Sequence, residues 1–247
     1  MKEALVLITG QPRFSASSVA NLKRNVIDAL TICGYHVNVV MSMWDTNSFD
    51  KFKITVGESV PDDLLKYAVD VLKPAKLHME PSIDFFATRE RNKIQVPLKE
   101  SPSYESQYYM LDRGATVASE WMRHSGISPH VAIRTRADLL MMRPISSPAV
   151  ISASSRFLIP NTQGFGWVGS TPPRPWKMKK PWMPDQFWMA PWGMLEKMCR
   201  FHSRWHRGLT CHGPQIENML HAFARENQIG YEQFMMQIKI VKTVNNR

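Results

Sequence analysis

Residues 130–144, HVAIRTRADLLMMRP, gather side chains that could do chemistry. Val131, Ala132 and Ile133 form a short apolar run suited to a buried strand, and Arg134, Arg136 and Asp138 follow it at every second position. In extended chain, residues two apart project to the same side, so this spacing aims two guanidiniums and one carboxylate together. Guanidinium forks match phosphate and carboxylate oxygens, and an aspartate beside them can hold a divalent cation that bridges phosphates. The purely structural alternative is an Arg–Asp salt bridge that pins a strand end.

Such a strand end needs a sheet to present it. Residues 4–8 are apolar and strand-like, and Thr9-Gly10-Gln11-Pro12-Arg13 forms the loop that leaves them. Val19, Leu22, Val26, Ala29, Leu30 and Cys33 then recur at helical spacing over 17–33, and Gly34 is a natural stop. Residues 35–43 read as a second strand that ends at Trp44-Asp45. Strand, helix and strand in this order predict a βαβ unit with a parallel pair, whose ligands sit beyond the carboxyl ends of the strands. Gly10 to Arg13 and Trp44-Asp45 both fall there, although a Gly-Pro loop can equally be a simple turn.

Further along, a short helix is expected over 62–72, a strand over 75–79 and a long polar flap over 80–102. Tyr104, Tyr108, Leu111, Ala115, Ala118 and Met122 predict a helix of some five turns ending near Gly126, with Gln107 near its start as a candidate for the site. The segment 144–160 is expected to cross the sheet and return as a strand over 156–159. Residues 161–184 are rich in Gly, Pro, Trp and Lys; Trp167 and Trp182 offer flat faces for a sugar or base, or pack the loop down. After Asp185-Gln186-Phe187, Pro191 opens a helix to about residue 205 with Met194, Leu195, Met198 and Phe201 on its buried face. A further helix from Gly213-Pro214 buries Ile216, Leu220, Phe223 and Ala224, and a strand over 237–244 closes the chain. His202 and His206, four apart and without a third ligand, are expected on a helix surface.

The composition is that of an ordinary globular protein rather than a disordered one: 247 residues, 44% hydrophobic and 21% charged. A net charge of +10 predicts attraction to anions, which include nucleic acid, anionic lipid and phosphorylated small molecules. The basic residues are spread along the chain, which argues against a dedicated nucleic-acid tail. Cys33, Cys199 and Cys211 are widely spaced and contain no CxxC, so neither a disulfide framework nor a zinc ribbon is indicated. A reducing, cytoplasmic setting is expected, with no signal peptide and no membrane span, though peripheral contact with a membrane is compatible with the charge. GxGxxG after the first strand, GxxxxGK[ST], HExxH and GxSxG are all missing, which disfavours Rossmann dinucleotide binding and P-loop phosphoryl transfer.

Taken in order, these features resemble the sugar-nucleotide-dependent glycosyltransferases of the GT-A type found in bacterial surface-polysaccharide loci and large DNA viruses. The resemblance rests on Gly10-Gln11-Pro12-Arg13, on Asn21-Leu22-Lys23-Arg24-Asn25, on Trp44-Asp45 and on Ser106 to Tyr109. It continues through R-x-R-x-D at Arg134, Arg136 and Asp138, D-Q-F at Asp185 to Phe187, and Glu217 at a helix start. It covers nearly the whole chain through short motifs whose order carries the weight. One departure is that Arg136 stands where a strict D-x-D would place a second aspartate.

The resemblance implies a GT-A-like (Rossmann-like), mostly parallel central sheet flanked by helices in a single domain. Residues 1–145 would mainly bind the nucleotide sugar and 146–247 the acceptor. It implies transfer of a hexosyl or pentosyl group from a nucleoside-diphosphate sugar, UDP-sugar favoured, to a glycan hydroxyl, with inversion and a carboxylate base. Asp185 would be that base, with Glu217 in reserve. Gly10, Gln11, Pro12, Arg13, Trp44, Asp45, Gln107, Arg134, Arg136 and Asp138 would bind the donor, and Trp167, Trp182 and Gln186 the acceptor. Asp138 would hold Mn²⁺ or Mg²⁺ if the reaction uses one. The rival readings are a nucleic-acid-binding protein and an inactive nucleotide-sugar-binding domain.

Overall fold

A computed structural model of the chain describes residues 1–46, 61–82, 102–160, 166–167, 186–205, 216–234, 236 and 238–240. Most of the expected flap over 80–102, the bulk of the tryptophan-rich segment including Trp182, and Asp185 lie outside the described residues.

The apolar runs do become strands, and the helical stripes pack on both sides of them. β1 (Lys2–Gly10) pairs in parallel with β2 (Tyr35–Trp44), and β2 with β3 (Lys76–Glu80). On its other side β1 pairs in parallel with β4 (Val131–Thr135). After β4 come the short β5 (Leu139–Met141), β6 (Phe157–Pro160) and β7 (Gly166–Trp167). Next are β8 (Trp188–Ala190), β9 (Tyr231–Phe234) and β10 (Ile238–Ile240). The described strands form a seven-stranded sheet ordered β3-β2-β1-β4-β8-β6-β9, in which β8 runs against its neighbours β4 and β6. A smaller sheet, β5-β10-β7, sits beside it. The fold is therefore α/β with a mostly parallel central sheet.

The first crossover starts at α1 (Ala16–Leu22), where Ser15 and Ser18 cap one another: the Ser15 hydroxyl accepts from the Ser18 backbone N and the Ser18 hydroxyl accepts from the Ser15 N. It continues through a π-helical turn, Lys23–Asp28, into α2 (Ala29–Ile32), ending one residue before the expected Cys33. Together with α3 (Asp62–Leu72) it covers one face, where Val19, Leu22, Val26, Leu30, Ala68 and Leu72 pack against Ala4, Val6 and Ile8. The opposite face is covered by α4 (Pro102–Ser125), whose Tyr108, Leu111, Ala115, Ala118 and Met122 pack on Leu5, Leu7 and Ala132. Alternation along β1 thus feeds two cores from one strand, and each core draws on both halves of the chain.

Between β5 and β6 the crossing segment contains α5 (Ser147–Ala153). The single helix expected over 191–205 is two, α6 (Trp192–Cys199) and α7 (Phe201–Trp205), broken at Arg200, and Met194 on its expected buried face is exposed. α8 (Ile216–Glu226) buries Leu220, Phe223 and Ala224 as its spacing predicts. No helix among the described residues is long and apolar enough to cross a membrane.

At the amino-terminal end of the sheet, Glu3 ties β1 to β2: its Oε2 accepts from Asn38 Nδ2 (2.8 Å) and lies 2.9 Å from His36 Nδ1. Burial pushes the Glu3 carboxyl up, but the bonds from His36 and Asn38 and the His36 charge outweigh it and leave the group below its ordinary value. A lowered carboxyl stabilises the fold above its unfolded value and loses that contribution as pH falls through the native one. Glu3→Gln is therefore expected to flatten part of the acid limb of stability below about pH 4.5, read as urea midpoints over a pH series.

Candidate functional site

Four parallel strands, β1 to β4, end at the same edge, and the chain turns from one side of β1 to the other between β3 and β4. The crossover helices change face at the same place, α1 to α3 below and α4 above. In open α/β sheets the crevice beyond such a reversal is the place where ligands bind. The Gly10 to Arg13 loop and the Arg136 to Asp138 segment flank it, one on each adjacent strand.

The loop is shaped by its residue types. Gly10 closes β1 at φ +111°, a backbone conformation that side chains with a Cβ rarely adopt. Pro12 is buried, and the Arg13 backbone N donates to the Gln11 carbonyl at 2.8 Å, tightening the turn. Arg13 is half-buried; burial pulls its guanidinium below its ordinary value, Asp138 opposes that and Arg136 adds to it. The Arg13 guanidinium thus lies within electrostatic reach of both Asp138 and Arg136.

Arg136 and Asp138 form a fork: Nε donates to Oδ1 at 2.9 Å and Nη2 to Oδ2 at 2.7 Å. Asp138 is 2% exposed, so the carboxylate is enclosed by this pairing. Nη1 reaches Gln107 Oε1 at 3.5 Å, which brings the α4 start to the site. Behind Asp138, Met141 is gripped from the first crossover. Asn21 exchanges two hydrogen bonds with its backbone (3.0 and 2.8 Å), and Asn25 Nδ2, presented by the π-helical turn, donates to the same carbonyl at 2.7 Å. The NLxxN segment thus holds in place the chain that follows Asp138.

Arg134 departs from the expectation of a donor contact. It lies within the β4 ladder and is fully buried beneath α4. Its Nε donates to Thr9 Oγ1 at 3.2 Å and its guanidinium lies 5.4 Å from the centre of the Trp188 ring. The two-residue spacing does put it on the same side as Arg136, but inside the protein rather than at its edge. Trp44 is likewise fully buried and stacks on Tyr109 (5.5 Å, 15° between planes), so it supports the edge from behind rather than offering a face to a nucleoside. Asp45 holds the β3 exit: its Oδ1 accepts from Ser82 N at 3.0 Å, while its own N donates to the Glu80 carbonyl.

Sequence reasoning missed a cluster beside Trp44. Glu80, at the end of β3, accepts from the Tyr109 hydroxyl, from Arg113 Nε (3.1 Å) and is paired with His78 Nε2 (3.1 Å). Burial and the Glu80 carboxylate together push the Tyr109 hydroxyl well above its ordinary range. His202, expected on the surface, is buried edge-on against Tyr109. An open cleft of about 180 Å³ lined by Tyr109, Asp112, Arg113, Thr116, His202 and Ser203 falls short of the roughly 300 Å³ of the smallest ligand pockets. The crevice between β1 and β4 remains the better candidate.

Of the remaining expected residues, Gln186 lies two residues before the antiparallel β8. Its Oε1 is buried and accepts no hydrogen bond among the described residues. Trp167 belongs to β7 in the second sheet and Glu217 to the first turn of α8. No family model matches this chain, and a comparison with curated proteins finds no relative of it.

Proposed function

We propose that this chain is a glycosyltransferase that moves a sugar from a nucleoside diphosphate, UDP first among them, to a glycan hydroxyl. The observation that carries the reading is the Arg136–Asp138 fork at the reversal point of a mostly parallel sheet, with the Arg13 loop leaving the adjacent strand. The order of the short motifs supports it from the sequence side.

In that reaction the bond from the anomeric carbon to the diphosphate oxygen breaks, and the acceptor oxygen forms the new bond. The departing diphosphate gains negative charge, which two prearranged guanidiniums would stabilise. Asp138 fixes the plane of the Arg136 guanidinium, and Gln107 braces it from α4. The acceptor proton would pass to a carboxylate, Asp185 first and Glu217 second. Gln186, two residues before β8 with a buried acceptor to satisfy, suits a sugar hydroxyl donor. The residues fit a divalent cation poorly: the one carboxylate of the R-x-R-x-D strand end has both oxygens on Arg136.

The test is a thermal-shift panel of UDP, GDP, CMP, dTDP and short oligonucleotides, since a ligand bound by the native state raises the melting temperature. One nucleoside diphosphate is expected to stabilise the chain, with affinity reduced about tenfold or more in Arg13→Ala. Release of that nucleotide from its sugar donor in the presence of a glycan acceptor then reports transfer. Binding without release would make the chain an inactive nucleotide-sugar-binding domain. Stabilisation by oligonucleotides alone, lost steeply with salt, would replace the reading with nucleic-acid binding.

A further inference from the structure

We infer that the diphosphate site of this chain works with two guanidiniums and no divalent cation. The inference rests on the glycosyltransferase reading and deepens it. A divalent cation at a diphosphate site keeps several waters and is held, besides the phosphates, by one or two carboxylates with an oxygen to spare. The described residues bring three carboxylates to the carboxyl ends of β2, β3 and β4, and each is engaged. Asp45 accepts from Ser82 N. Glu80 is held by Tyr109, Arg113 and His78. Asp138 uses both oxygens on Arg136 and is 2% exposed.

Charge points the same way. Around Asp138 stand the guanidiniums of Arg136 and Arg13, so the cluster of three carries a net positive charge before any ligand arrives. A dication at Asp138 would have to break the fork, shed its own hydration in a buried place and sit beside two cations. A diphosphate meets none of these obstacles; it brings the negative charge that the cluster lacks. Arg136 stands two residues before Asp138, where a second carboxylate would complete a metal pair, so the side chain that removes the metal ligand also supplies the charge that replaces the metal. No group of three His, Cys, Asp or Glu among the described residues is placed to hold a metal ion.

The deciding experiment is calorimetric titration of the wild-type chain with UDP, GDP, CDP and dTDP, in EDTA and again with Mn²⁺ or Mg²⁺. The expected result is one nucleoside diphosphate that binds equally well in all three conditions and is weakened about tenfold by Arg13→Ala, with Arg13→Lys retaining part of the affinity. Melting curves of the variants establish that they are folded. Affinity that falls tenfold or more on chelation and returns with the metal would overturn the metal-free site while leaving the nucleotide reading intact. Failure of every nucleoside diphosphate to bind, with or without metal, would overturn both.

Discussion

Gly114→Ala is expected to destabilise the fold by about 1–3 kcal/mol, although alanine is the better helix former by about 1 kcal/mol. Gly114 lies in the interior of α4, where a Cβ would stand 2.6 Å from Thr9 Cγ2 and 3.4 Å from Ser42 Cβ. The helix therefore rests directly on β1 and β2 at this point. Thr9 cannot turn aside without cost, because its Oγ1 holds Arg134 Nε and its side chain is fully buried. Thr9→Ser removes the methyl and keeps the hydroxyl, so Gly114→Ala/Thr9→Ser is expected to recover most of the loss. Urea unfolding of the four proteins in the cycle measures that coupling. A Gly114→Ala protein more stable than wild type would show that the helix gives way and that Gly114 is not a contact residue. The consequence for the site is direct: Thr9 is followed at once by Gly10 and the Arg13 loop, so the same contact sets where Arg13 stands.

Gly114 also shows what kind of signal the sequence held. A glycine in the middle of a strong helical stripe violates propensity, and close backbone approach is the usual physical reason. The periodic elements were legible for a similar reason: the stripes of α4 and of the first crossover and the apolar runs of β1, β2 and β4 depend on local pattern. So did the placement of Arg13 and Arg136 at strand ends, since a parallel βαβ unit dictates which end faces the ligand.

What was not legible depends on partners distant in sequence. β5 and β9 are short, and each takes its pairing from strands far along the chain, so period alone leaves them unassigned. Arg134 and Arg136 stand two apart and meet opposite fates, because Arg134 lies inside the β4 ladder and is fully buried, whereas Arg136 lies beyond the strand end and keeps part of its side chain exposed. The role of Asn21 and Asn25 depended on Met141, more than a hundred residues away. Trp44 was a reasonable stacking residue until Tyr109 came down on it.

Arg134 carries the second large expectation. Arg134→Met fills nearly the same volume with an apolar chain, and it is expected to cost about 2–4 kcal/mol of stability. Two losses sum to that range. Thr9 Oγ1 loses its donor in a buried place, and Trp188, itself fully buried, loses the cation beside its ring. Arg134→Lys is expected to recover only part, because a compact ammonium has neither the planar fork nor the reach to serve both groups. Nucleotide affinity separates this supporting role from the donor contact suggested by spacing alone. If Arg134 holds the end of β1 from inside, Arg134→Met loses stability first, and whatever folded protein remains at low temperature binds a nucleoside diphosphate with Arg13 and Arg136 in place. If the side chain instead touched the diphosphate, the variant would keep its urea midpoint and lose affinity as Arg13→Ala does. The burial of Arg134 beneath α4 favours the first outcome, which makes this sheet edge a two-layer device: one arginine inside sets the strand, and Arg13 and Arg136 stand at the rim.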